Sequence, residues 1–117
     1  MKREKLFAQL EADDAELRRD FIAHLEVVAG GRNTWFFVVE PVSGTGLPPS
    51  PDGTAILGRA RDIVARAEHL QIDPAGLVAP FVEAAFASAN DRSNEHRLGP
   101  IRHAQRLLEE LRASSRL

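Results

Sequence analysis

Apolar residues recur every three or four positions through most of this chain, and that spacing predicts helices. Over residues 2–28, Leu6, Leu10, Leu17, Phe21 and Val28 fall within about 60° of one another on a helical wheel. Asp13 and Asp14 flank this stripe. Asp13-Asp14-Ala15-Glu16 also reads as a capping box, an acid followed by glutamate three residues on. The segment is therefore expected as one long helix, or as two with a break near Asp13. Gly30-Gly31 is a natural helix stop.

The pattern changes at Thr34-Trp35-Phe36-Phe37-Val38-Val39, a run dense in aromatic and β-branched residues that predicts a strand. A single strand leaves backbone groups unpaired. Two partners suggest themselves: Leu25 to Ala29, across Gly30-Gly31 as a hairpin, or the same strand of a second copy. Residues 41–53 hold four prolines and three glycines and read as a loop.

Helical spacing then resumes. Asp52 or Thr54 is expected to cap a helix that runs to about Leu70, with Ile56, Leu57, Ala60, Ile63, Val64, Ala67 and Leu70 on its apolar side. Arg59, Asp62, Arg66 and His69 fall towards its other side, with Asp62 and Arg66 spaced for an i,i+4 ion pair. Asp73-Pro74 reads as an N-cap followed by proline at the first helical position. The helix so begun, to about Ser88, is apolar nearly all round, which predicts a central position. Pro80 either kinks it or marks where its regular part begins. Residues 89–99 read as a polar linker. Gly99-Pro100 starts a last helix, with Ile101, Ala104, Leu107, Leu108 and Leu111 as its stripe, and residues 113–117 read as a frayed tail.

These elements predict a mainly α fold in one domain covering residues 1–117. The expected form is a compact bundle of four to five helices, with one short aromatic β-strand or β-hairpin (residues 25–40) on its side. The length of 117 residues suits one domain with its own core.

Composition narrows the function classes. The chain has no cysteine, which excludes disulfides, thiolate metal sites and cysteine nucleophiles, and fits a cytoplasmic protein. The basic start Met1-Lys2-Arg3-Glu4-Lys5 is not followed by the apolar run of a signal peptide. No apolar run is long enough to span a bilayer, so no membrane partner is expected. The net charge of −2 lacks the polycationic footprint common in nucleic-acid binders. The basic excess is local: residues 91–117 carry six arginines against four acids.

Four constellations could carry chemistry. His24 lies at the edge of the first apolar stripe, with Asp20 one turn before it. A carboxylate-oriented histidine can act as a general base or metal ligand, although the plainer reading is a structural His–Asp pair. Glu83 is the only charge on the most apolar helix. It is either an acid–base group facing a pocket or an edge residue reaching solvent. Arg92, His96, Arg97, Arg102, His103 and Arg106 surround the start of the last helix, where free amides and the helix dipole attract anions. Arg97, Arg102 and Arg106 are the candidate anion-binding residues. Trp35, Phe37, Leu47, Pro48 and Pro49 are the candidate partner-binding residues, since a proline-rich stretch can dock as polyproline II. Ser43-Gly44-Thr45-Gly46 lacks the lysine of a phosphate-binding loop. No cofactor and no metal site is expected.

The reading these signals favour is a non-enzymatic helical interaction module, such as an adaptor, immunity-type or regulatory subunit, whose partner is another protein or a second copy in a homodimer. The alternatives are a regulator contacting nucleic acid or another phosphate-bearing ligand through the C-terminal arginines, and a small enzyme using His24 and Glu83 in a bundle pocket.

Overall fold

The first helix, α1, runs unbroken from Lys2 to Ala29. Its sequence is rich in Ala, Leu, Glu and Arg and holds no glycine or proline, so nothing in it interrupts a helix. Its 28 residues give a rod about 42 Å long. The computed structural model describes residues 2–30, 51–90 and 100–114. Three further helices lie among them: α2 (Pro51–His69), α3 (Ala79–Asn90) and α4 (Pro100–Ala113). A short 3₁₀ turn, Pro74–Gly76, precedes α3. The arrangement is a mainly helical bundle, and there is no strand among the described residues.

α1 packs most heavily on α4 and α2, and α3 lies mainly on α2. Leu10, Leu17, Phe21, Leu25 and Val28 of α1 are fully buried. They meet Ile56, Leu57, Ala60, Ile63 and Ala67 of α2, Val82, Ala85 and Phe86 of α3, and Ala104, Leu107, Leu108 and Leu111 of α4 in one apolar core. Phe21 sits between α1 and α3. Its ring meets Phe81 edge-on at 6.3 Å and Phe86 at 6.5 Å, a geometry that suits the ring quadrupoles.

Several expectations are corrected. The expected hairpin over residues 25–40 falls, because residues 25–29 are the last turn of α1. Leu25 and Val28 complete the buried stripe, and that burial outweighs any pairing across Gly30. The aromatic run 34–39 lies outside the described residues. No break occurs at Asp13, because both aspartates are engaged by other helices rather than by their own backbone. Leu6, expected in the core stripe, is 44% exposed. Residues 2–9 are all exposed, and Leu10 is the first buried residue of α1.

The expected helix from Pro74 is interrupted. Asp73 Oδ1 does accept the Ala75 N–H at 3.0 Å, as an N-cap should, but the turn it caps lasts only three residues. Leu77 N–H closes it onto the Pro74 carbonyl at 2.9 Å, with Leu77 extended. α3 then starts afresh, with Pro80 in its first turn, where a missing N–H leaves no bond unmade. At its other boundaries α2 begins at Pro51, so the last three residues of the proline-rich stretch are its first turn, and α3 reaches Asn90.

α2 ends in a Schellman motif. Ile72 N–H reaches the Ala67 carbonyl at 2.9 Å, and Gln71 N–H reaches that of Glu68 at 3.0 Å. The residue between helix and exit, Gln71, takes the left-handed conformation with φ 59°. Glycine normally occupies this position.

Candidate functional site

The polar residues of α1 do most of their work on other helices. A helix terminus exposes amides or carbonyls that have no intrahelical partner. α1 supplies a partner at three such termini. Asp14 accepts the Val78 N–H at 2.8 Å and the Ala79 N–H at 3.1 Å, capping the start of α3. Arg18 Nη2 donates to the Leu111 and Ser114 carbonyls at 3.0 and 3.2 Å, at the end of α4. Arg3 donates to the Leu70 carbonyl just past the end of α2. Each sign matches the helix dipole: the acid lies at an N-terminus and the cations at C-termini.

Asp14 is only 7% exposed. Burial pushes its carboxyl above the ordinary aspartate range, against the lowering effect of its two backbone hydrogen bonds and of the Arg18 charge. A buried carboxylate is tolerated here because both amides it meets belong to fully buried residues, Val78 and Ala79, which themselves need acceptors. Arg18 is half-buried, and its Nη1 is buried with no hydrogen-bond partner among the described residues.

A second set of polar contacts lines the seam between α1 and α2. Arg66 Nη1 bridges Asp13 at 2.9 Å and Asp62 at 3.3 Å, so the i,i+4 pair expected from spacing forms and is extended across to α1. The hydrogen bond from Gln9, and then that from Arg66, hold the Asp13 carboxyl below its usual range. Asp13 in turn raises the Arg66 guanidinium. Farther along, Arg59 pairs with Asp20 at 2.9 Å. On the α4 side, Arg112 pairs with Glu26 at 2.7 Å.

Between these ion pairs the seam opens into a groove of about 520 Å³, rimmed by Asp13, Glu16, Arg59, Asp62 and Arg66. The exposed small residues Ala55 and Gly58 and the buried Ile63 complete its lining. A Cβ built on Gly58 would meet nothing within 4 Å, so the space above it is open. Ala55 and Arg59 also line an adjoining hollow with Asp20, Ala23, His24 and Val27. The two share Ala55 and Arg59, and together they are lined by four carboxylates, two guanidiniums and one imidazole beside small and apolar residues of α1 and α2.

The sequence-derived candidates divide as follows. His24 and Asp20 come together in the adjoining hollow, but Asp20 holds Arg59. Glu83 is half-buried on α3 and is not among the residues lining that hollow. Of the arginine cluster, Arg102 and Arg106 are exposed on α4, and Arg106 faces Glu110 at 3.8 Å. His103, grouped with them by sequence, is only 3% exposed and turns into the bundle instead, because it stands beside Ala104 and Leu107 on the buried side of α4. Arg92, His96 and Arg97 lie outside the described residues, as do Trp35, Phe37, Leu47, Pro48 and Pro49.

Among the described residues, no group of three or more histidines or acids could hold a metal ion. No helix among the described residues is long and apolar enough to cross a membrane. No protein-family model, curated protein or solved structure matches this chain.

Sequence reasoning missed the three cross-helix caps. One signal was present: Asp14 projects between Phe21 and Leu25 on the wheel of α1, inside the buried arc, with Arg18 one turn on. An acid in an apolar stripe with a cation at i+4 marks a buried polar contact. It does not name the helix end that receives it.

Proposed function

We propose that this chain is a helical protein–protein interaction module, acting by binding rather than catalysis and associating with a second copy of itself. The observation that carries this reading is the α1–α2 groove. The small, exposed lining residues Ala55 and Gly58 let another backbone approach closely, while the charged residues beside them give such a contact its register. The polar side chains around it are arranged as pairs: Asp13 with Arg66, Asp62 with Arg66, and Asp20 with Arg59. The Asp13 carboxyl, held below its usual range by Gln9 and Arg66, has little basicity to offer a substrate. The buried acid that burial does perturb, Asp14, is committed to the start of α3.

The nucleic-acid reading has less support. Arg102 and Arg106 share the exposed face of α4 with Glu109 and Glu110, and His103 turns away from them.

Sedimentation velocity of the unmodified chain over a concentration series, combined with photo-crosslinking from benzoylphenylalanine placed at the exposed rim position 16, tests the proposal. The expected result is a concentration-dependent dimer with cross-links from position 16 to a second copy. A chain that remains monomeric at millimolar concentration and gives no inter-chain cross-link would overturn it.

A further inference from the structure

We draw no further inference here: the strongest candidate, the hollow that Phe7 and Ile72 leave at the end of the bundle beside Lys2, Arg3 and Glu4, carries nothing because nothing in the structure shows what covers it.

Discussion

Asp14 and Val78 are joined by a hydrogen bond of 2.8 Å that ties the middle of α1 to the start of α3. The bond spans 64 positions of sequence, and the same carboxylate also takes the Ala79 N–H. The first helical bond of α3 runs from Val82 N–H to the Val78 carbonyl, so Val78 is the cap residue. Pro80 brings no N–H. Asp14 therefore satisfies two of the three remaining amides at the head of this helix, and it does so from outside the local chain. In most helices a side chain adjacent in sequence performs this task.

Replacing Asp14 tests the consequence. Asp14→Ala leaves two buried amides without acceptors, and each such group costs about 1–3 kcal/mol. We expect a loss of about 2–4 kcal/mol in urea denaturation, larger than the roughly 1 kcal/mol typical of an ordinary N-cap. Asp14→Asn keeps one acceptor oxygen and should recover part of the loss. A loss under 1 kcal/mol for the alanine variant would show that α3 is held by its apolar contacts alone.

The two neighbouring aspartates should respond to pH with opposite sign. Asp14 has a folded pKa raised above its ordinary 3.8 by burial. Its contribution to stability is fully present below pH 3.8 and is lost as pH rises through the raised folded value. Asp13 has a folded pKa lowered from 3.8, chiefly by Gln9 and Arg66. Its contribution is present above pH 3.8 and is lost as pH falls through the lowered folded value. With stability measured from mildly acidic to strongly acidic pH, the wild-type advantage over Asp13→Asn should shrink as pH falls. The advantage over Asp14→Asn should grow. Parallel curves for the two variants would mean that burial and ion pairing do not divide these residues as described.

Arg18 performs the complementary task at the other end of a helix, and its effect should be smaller. Its Nη2 caps the Leu111 and Ser114 carbonyls, but its Nη1 is buried with no partner among the described residues. Arg18→Met keeps much of the apolar stem and removes both the caps and the orphaned donor. We expect about 1–2 kcal/mol of destabilisation, the range for hydrogen bonds to a charged group less the relief of one unpaired N–H. Hydrogen exchange should quicken in the last turn of α4 before it quickens elsewhere. Uniform acceleration across all helices would argue against a local cap.

These contacts show how far the sequence could be read. The stripes of α2 and α4 were legible because Ile56, Ala60, Ile63 and Ala67, and Ala104, Leu107, Leu108 and Leu111, repeat at helical spacing and are buried together. The end of α1 was harder to place. Leu25 to Ala29 is β-branched at its end and sits before Gly30-Gly31, so local preference allows a strand, and only burial against the other helices decides for helix. Asp13-Asp14 misled for a related reason. Aspartate before a helical run signals a cap, but nothing in the local chain tells which helix is being capped. The groove was invisible for a third reason: Ala55 and Gly58 contribute by what they lack, and their openness depends on where α1 lies. His103 illustrates the converse, because its arginine neighbours suggested an exposed cluster while its place on the α4 stripe turned it inwards.

Gln71 offers a direct gain in stability. With φ 59° it occupies a conformation that costs a non-glycine residue about 1–2 kcal/mol. Gln71→Gly removes that strain at the C′ position of the Schellman motif, although glycine also gains entropy in the unfolded chain. The net expectation is a stabilisation of about 0.5–1 kcal/mol, seen as a raised melting temperature. Gln71→Val, β-branched at the same φ, should destabilise. If glycine gives no gain, the left-handed turn is not strained by glutamine.

Gly58 separates folding from binding. It lies inside α2, where glycine is less favourable than alanine by about 0.5–1 kcal/mol, and a Cβ there meets nothing within 4 Å. Gly58→Ala should therefore stabilise the monomer by about that amount and leave association nearly unchanged, since one methyl barely fills the groove. Gly58→Trp should also fold, because its ring projects into the open groove rather than into the core, but it fills the space a second copy would need. The expected pair of outcomes is a retained melting temperature and a dimer constant weakened at least tenfold, read by thermal denaturation and sedimentation velocity on the same sample. A tryptophan variant that dimerises like the wild type would move any interface away from the α1–α2 seam. One that fails to fold would show that α2 is packed more closely at Gly58 than its open surroundings indicate.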